Sequence, residues 1–447
     1  MPTLLITMQS KVILTIISGS LQGQTFEFED YSRCIIGRHR DCSIQFADDE
    51  NNLTISRYHC LLEINPPAIR IRDFGSRNGT YVNGEKIGQR PAGMSPEEGR
   101  NMTFQEVDLK EGDEVKIGDA IARVSLEIAS AIAQESANID LSSFSVASGS
   151  METGKMPQVR GYTTLQLLGE GGMGAVYLAR CDRTGDLVAL KTMLPKIAVN
   201  QRAIDLFFRE VENTKILNHA NVVRLRDYGC SNNTFFFTMD YCDGGSVDSL
   251  MQTSGGKLTV DVAIPIVLQV LDGLDYAHDV EVPCVKLADG RIVTGKGLVH
   301  RDLKPANIFL CRNGNGFLAK LGDYGLGKAF DLAGLSGFSV TGNSPLGTYV
   351  FMPRQQVINF KYSTPDVDVW AVAASLYNML TGAFPRNFTS KKDPFRVILE
   401  EKPVPIRWRD PNIDDRLADL VDLALRDNPE THFKTAAAFK QAIAFCV

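Results

Sequence analysis

Gly169, Gly171 and Gly174 stand between two β-like runs, YTTLQLL before them and VYLAR after. Glycines at this spacing let a backbone approach phosphate oxygens, and two kinds of turn use it. A dinucleotide-binding turn needs a helix at once, because the helix N–H groups meet the pyrophosphate. Here a strand follows. A strand–glycine–strand hairpin instead lays its backbone over a triphosphate as a lid, and that reading commits the rest of the chain to a nucleotide cleft. From Arg160 the pattern is strand-rich and then helical. In AIDLFFREVENTKILNH, Ile204, Phe208 and Val211 form one stripe, with Phe207, Glu210, Thr214 and Leu217 on the adjoining one. Val262, Ile266, Val270 and Leu274 form the stripe of a second helix, where Pro265 predicts a late start or a kink.

The residues that carry chemistry then come in order: Val188-Ala-Leu-Lys191, Glu210, His300-Arg-Asp302-Leu-Lys304-Pro-Ala-Asn307, and Asp323-Tyr-Gly325. Taken singly, each reads as surface charge or a helix cap. Jointly they resemble the eukaryotic-type (Hanks-type) Ser/Thr protein kinases over residues 160–447, and the Gly-Gly-Met lid is most similar to bacterial members. The resemblance implies a bilobal α+β kinase fold and ATP-dependent phosphorylation of protein Ser or Thr. Such transfer passes through a loose transition state, so catalysis is mostly positioning and charge neutralisation. By this likeness Lys191 meets the α/β-phosphates, Glu210 aims it, Asp302 orients the incoming hydroxyl and takes its proton, and Lys304 stabilises the moving phosphate. Gly169, Gly171, Gly174, Val176, Ala189, Lys191, the gatekeeper Met239, Asp240 and Cys242 would bind ATP, the last two through backbone groups at adenine. Oxygen ligands suit Mg²⁺, with Mn²⁺ as a substitute, and Asn307 and Asp323 would hold it. His300 is expected to be structural.

Some positions depart from the family pattern. Pro353-Arg354-Gln355 replaces the usual Ala-Pro-Glu, and His432 stands where an Arg would pair with that Glu. Changing both partners avoids a lone buried charge, which would cost about 3–5 kcal/mol, and predicts a neutral Gln355–His432 hydrogen bond. Ala306 and Ser246 stand where basophilic members carry acids, so strong selection for Arg upstream of the target is not expected. Ser336, Ser339, Thr341, Ser344 and Thr348 lie between Asp323 and Gln355. Phosphate there would add about −1.5 to −2 charge and could order the loop by pairing with Arg301. Thr341 and Ser344 are the candidate autophosphorylation sites; Thr348 is expected near Asp302 and Lys304. The insertion VEVPCVKLADGRIVTGK reads as a small hairpin turning at Asp289-Gly290, a decoration with a docking element as the alternative.

Residues 11–128 are written in period two. Phe26 and Phe28 alternate with glutamates, Ile69 and Ile71 with Arg70 and Arg72, Val115 and Ile117 with Glu114 and Lys116, and Val124, Leu126 and Ile128 with polar residues. Alternation sends one set into a core and the other into water. With turns at Ser18-Gly19-Ser20, Asn65-Pro66-Pro67, Asn83-Gly84 and Gly112-Asp113, it predicts an all-β sandwich. Polar residues collect between strands: Gly37-Arg38, Ser56-Arg57-Tyr-His59 and Ser76-Arg77-Asn78-Gly79-Thr80. Arg, Ser and Asn converging from loops form a phosphate cradle. These segments resemble the forkhead-associated (FHA) domain, a phosphothreonine-binding module. The likeness implies that Arg38 and Ser56 grip phosphate, Arg57 and Arg77 line the pocket, Asn78 holds the peptide backbone, and Gly37 and His59 tie loops together.

The chain has 447 residues with a net charge of −6, which does not favour nucleic acid or an anionic membrane as partner. No stretch approaches the roughly 20 apolar residues that would cross a bilayer, and MPTLLITMQSKV lacks the basic start of a signal peptide. Nine cysteines without zinc spacing read as reduced thiols of a cytoplasmic protein. The expectation is multidomain: an FHA sandwich over 11–128, a flexible Ser/Ala-rich linker over 129–159, and a kinase over 160–447. Expected partners are Ser/Thr protein substrates, phosphothreonine proteins, and further copies through autophosphorylation. A pseudokinase scaffold that binds phosphoproteins without phosphoryl transfer is the alternative. Lys191, Asp302, Asn307 and Asp323 weigh against it, Gln355 and Tyr324 for it. A small-molecule kinase is disfavoured by Lys304 and the activation segment.

Overall fold

In KVILTIIS, Val12, Leu14 and Ile16 are buried and their neighbours are not, and this pattern organises the N-terminal half of the computed structural model. Described are residues 11–29, 32–91, 93–94, 104–127, 156–171, 174–193, 211, 213–231, 234–286, 292–314, 316–324, 346–358, 363–389, 392–428, 430 and 432–446. The first half contains strands β1 (Lys11–Ser18), β2 (Thr25–Phe28), β3 (Ser32–Gly37), β4 (Ile44–Gln45), β5 (Cys60–Asn65), β6 (Ala68–Asp73), β7 (Thr80–Val82), β8 (Glu85–Gly88), β9 (Val107–Leu109), β10 (Glu114–Ile117) and β11 (Ala120–Glu127). They form two sheets, ordered β2–β1–β11–β10–β7–β8 and β4–β3–β5–β6–β9. Leu14, Ile36, Leu62, Ile71, Val115 and Val124 meet between them. Asn83 and Gly84, at φ +51° and +84°, link Val82 to Glu85 as the two-residue turn that a right-twisted hairpin favours.

The second half opens with a sheet of β12 (Tyr162–Gly171), β13 (Gly174–Cys181), β14 (Leu187–Met193), β15 (Leu225–Ser231) and β16 (Thr234–Asp240), ordered β12–β13–β14–β16–β15. Gly171 pairs with Gly174 across the lid, so the glycines sit between strands, as expected. A helical lobe follows: α1 (Val247–Thr253), α2 (Val260–Asp279), α3 (Arg354–Ile358), α4 (Asp366–Thr381), α5 (Pro394–Glu400), α6 (Asp415–Ala424) and α7 (Ala436–Cys446). Around α4, buried from Asp366 to Leu380, one apolar core gathers Leu274, Leu303, Trp370, Leu420 and Phe439. The inserted segment forms the paired strands β17 (Glu281–Lys286) and β18 (Ile292–Lys296); its Asp289-Gly290 turn lies outside the described residues. The remaining hairpin, β19 (Ile308–Asn313) and β20 (Gly316–Leu321), lies in the chain between the segments that hold Asp302 and Asp323.

Several expectations are corrected. α2 begins at Val260 and runs through Pro265, because that proline faces solvent, where water can satisfy the carbonyl left without a donor. Of the expected stripe only Val262 departs, at 37% exposed; Ile266, Val270 and Leu274 are buried, joined by Ala263 and Val267. Val159, placed in the linker by its neighbours' composition, is buried against Ala179, Val188 and Leu190. Alternation alone would put Arg72 in water. It shares the outer face of its sheet with Leu61 and Ile35 by strand register, yet it is 4% exposed because the helical lobe covers that face. A single apolar cluster joins Ile35, Leu61 and Phe74 of the sandwich to Met352, Val357 and Phe395.

Candidate functional site

Register in the five-stranded sheet places Ala189 beside Met239, Val188 beside Asp240 and Val176 beside Lys191. Met239 and Ala189 are both buried. The Asp240 N–H is donated to the Arg224 carbonyl (3.1 Å), so its own carbonyl is the backbone group it can offer a base. Its carboxylate takes Arg226 (2.8 Å) and Lys320 (3.2 Å). Burial pushes the Cys242 thiol up, and Cys311 beside it adds to the shift.

Lys191 Nζ lies 3.3 Å from Asp323 Oδ1 and 5.6 Å from the Phe237 ring centroid. Burial raises the Asp323 carboxyl, but Lys191, His300 and Lys304 outweigh it and hold the group below the usual carboxylate value. Asp302 receives Lys304 Nζ at 3.0 and 3.2 Å, and Asn307 Nδ2 donates to its carbonyl (2.7 Å) and to Oδ2 (3.0 Å). With its amide nitrogen so engaged, Asn307 is left with an oxygen to offer a cation. Amide and carboxylate oxygens are the donors Mg²⁺ prefers, completed by phosphate and water. Among the described residues no cluster of three or more His, Cys, Asp or Glu could hold a metal. Glu210, Gly325, Thr341 and Ser344 lie outside the described residues, as does the Thr348 side chain.

The loop that carries Asp302 hangs from a residue the sequence reading missed. Asp368 on α4 accepts the N–H groups of His300 (2.7 Å) and Arg301 (2.6 Å) and meets His278 Nε2 at 2.8 Å. Burial raises its carboxyl, while His278, His300 and the Arg301 N–H draw it below the usual value. Arg301 and Asp323 both take left-handed backbone, φ +61° and +57°, a strain of about 1–3 kcal/mol each that such contacts must sustain. His300 is buried and faces the Gly322 carbonyl at 2.8 Å, joining the two motifs structurally as expected. Gln356 on α3 donates Nε2 to the Arg301 carbonyl at 2.6 Å.

The expected Gln355–His432 bond is not formed. His432 Nε2 meets Asp366 Oδ2 at 3.0 Å, and Nδ1 meets the Arg426 carbonyl at 2.9 Å. Burial pushes the Asp366 carboxyl up, but His432 and Thr364 bring it below its ordinary value. The partner of His432 is thus an acid in the first turn of α4. Ser246 caps α1, accepting the Ser249 N–H at 3.2 Å.

In the sandwich, three contacts converge on residues 54–56. Arg38 Nε donates to the Ile55 carbonyl (2.6 Å), Asn78 Nδ2 to the Thr54 carbonyl (2.8 Å), and the Arg77 N–H to Ser56 Oγ (3.0 Å). Arg38 also pairs with Asp48 at the surface. Exposed pairs of this kind are weak and exchangeable. Arg57 and Arg77 are exposed. His59 is buried, takes the Ser56 N–H on Nδ1 (3.0 Å) and reaches the Gly79 carbonyl (3.1 Å), so it ties two loops as expected. Asp73, also missed, is the hub of the third loop. It accepts from Gly75 N–H (2.6 Å), Ser76 N–H (2.8 Å), Ser76 Oγ and Thr80 Oγ1 (2.6 Å each). Its signal was available in Asp-Phe-Gly-Ser, an aspartate placed to bond the backbone two residues on.

A protein kinase domain matches residues 162–442, and an FHA domain matches 34–118. The chain belongs to the protein kinase family. The probable serine/threonine-protein kinase CPE1738 of Clostridium perfringens is 29% identical over 276 residues, covering 62% of this chain and 36% of that protein. The serine/threonine-protein kinase PknD of Mycobacterium tuberculosis is 30% identical over 276 residues, covering 62% and 38%. The matched kinase region is thus little more than a third of those relatives' lengths. Among solved structures, Rad53 1-466 in complex with AMP-PNP aligns over 98% of this chain and 100% of that one, at 21% identity and TM-score 0.49. In this kinase the FHA fold extends past the matched 34–118, since β1 and β11 pair across residues 11–127. Among the described residues no helix is long and apolar enough to cross a membrane.

Proposed function

We propose that this kinase transfers the γ-phosphoryl group of ATP to Ser or Thr hydroxyls of proteins, within a domain spanning 160–447. The observation that carries the reading is the cluster of Asp302, Lys304 and Asn307 beside the Lys191–Asp323 pair. Asp302 orients the hydroxyl and accepts its proton. Lys304, now on the Asp302 carboxylate, would stabilise the transferring phosphate, and Lys191 would serve the α/β-phosphates with Glu210 as its aiming partner. Adenine lies between Val176 and Ala189, under Met239, against the backbone of Asp240 and Cys242. Gly169, Gly171 and Gly174 close over the phosphates. Asn307 and Asp323 would hold Mg²⁺ or Mn²⁺, which supplies charge neutralisation at the phosphates.

The sandwich, over 11–128, would bind phosphothreonine through Arg38, Ser56, Arg57 and Arg77, with Asn78 toward the peptide backbone. Binding of a phosphorylated partner, or of the kinase's own phosphorylated threonine, raises the local concentration of substrate across the linker that ends before Val159 and gives a route to self-association. A cytoplasmic location accords with this chemistry. Labelled phosphate should enter a protein substrate with the wild type and not with Asp302→Asn. Equal incorporation by both would overturn the transfer reading and favour a scaffold. Arg38→Ala should abolish phosphopeptide binding.

A further inference from the structure

Helix α3 touches both halves of the chain. On one side Gln356, 2% exposed, bonds the carbonyl of Arg301, the residue before Asp302. On the other, Arg354 pairs with Asp41 and donates to Tyr58 Oη at 2.7 Å, and Val357 enters the cluster with Ile35, Cys42 and Phe74. Asp41 follows Arg38 by three residues, and Tyr58 follows Arg57 directly. The two loops that carry the phosphate cradle therefore also carry the docking contact. They are bound to each other through Arg38 N–H to Ser56 O (3.2 Å) and His39 N–H to Arg57 O (2.9 Å). A second anchor joins Arg72 to Asp393 and Arg396 to the Phe74 carbonyl.

We propose that the sandwich is a positioning element of the kinase, docked on α3 and α5 so that phosphothreonine bound in its cradle strengthens docking and raises turnover through α3 and the catalytic loop. This goes beyond recruitment and rests on the phosphothreonine reading of the cradle. The sign comes from the shared loops. A phosphate gripped by Arg38 and Ser56 fixes the two loops whose Asp41 and Tyr58 meet Arg354, so the docking contact is held by the same bonds that hold the ligand. By linkage the effect is reciprocal, and loosening the dock weakens phosphopeptide binding by the same factor.

The test uses the full chain, a short acceptor peptide without phosphothreonine, and a separate phosphothreonine peptide followed by fluorescence anisotropy. Asp41→Arg and Arg354→Asp should each lower kcat about fivefold or more with KM for ATP within about twofold, and should separate the domains in small-angle scattering. The double exchange should restore both. Saturating phosphopeptide should raise the wild-type kcat and leave that of Arg354→Asp unchanged. Domain separation with unchanged kcat, or reduced kcat that the double exchange leaves reduced, overturns the positioning role. Unseparated domains in both single variants overturn the docking contact. A phosphopeptide that binds without changing kcat overturns the coupling alone, whereas one that does not bind overturns the cradle reading on which it rests.

Discussion

His59 is neutral because its surroundings make it so. Burial lowers its pKa, and the nearby Asp73 carboxylate and the Gly79 carbonyl pull the other way without prevailing. Its folded value therefore lies below that of the unfolded chain, near 6.5, and the unfolded state binds more protons between the two. Stability from His59 is complete above about 6.5 and is lost as pH falls from there toward the folded value. A His59→Gln variant, able to accept from Ser56 and donate to Gly79, escapes that titration. Its apparent thermal midpoint should lie below wild type at pH 7.5, with the gap narrowing by pH 5.5. A gap that stays constant with pH would assign the histidine a packing role only. The same logic separates the residues that could be read from sequence from those that could not. Arg38, Ser56, Asp302 and Asn307 announce themselves by residue type and spacing. Asp73 and Asp368 work by accepting backbone N–H groups: Asp73 from its own turn, where Asp-Phe-Gly-Ser gives a local signal, and Asp368 from a loop some 67 residues away, which sequence shows only when the fold is already known.

Loops are held at a distance that only one residue type allows at Gly37. A Cβ there would stand 2.2 Å from the Arg57 carbonyl oxygen and 2.9 Å from that of Ser56, so both cradle loops would have to part. Gly37→Ala should weaken phosphopeptide binding by tenfold or more, about 1.4 kcal/mol, as measured by anisotropy; an unchanged Kd would mean that the loops adjust freely. At this scale much was legible. Alternation marked the strands, Asn83-Gly84 marked its hairpin, and the strand after Gly174 distinguished a lid from a dinucleotide turn. The errors arose where local pattern met a distant partner. Pro265 sits in α2 because its face is wet, Val159 is captured by the kinase sheet, and His432 found Asp366 rather than Gln355.

Two halves that composition alone would let swing freely share a buried face, and a trace of this was present in the sequence. Cys34-Ile35-Ile36 and Cys60-Leu61-Leu62 break the alternation with runs buried on both sides, the signature of a sheet covered on two faces. Arg72 and Asp393 meet under that cover with side chains 5% and 4% exposed. The guanidinium lies over the rings of Phe74 and Phe395 (5.1 and 5.4 Å). A pair so dry gains little over an apolar substitute, but losing one partner strands the other at about 3–5 kcal/mol. Asp393 also caps α5 through the Phe395 and Arg396 N–H groups, and an asparagine can keep that cap. Arg72→Met should therefore depress the apparent thermal midpoint strongly. Adding Asp393→Asn should recover part of the loss, because the stranded charge is gone while the cap survives. Midpoints that simply add across the two changes would mean the residues do not interact, and the covered face would then be held by its apolar cluster alone.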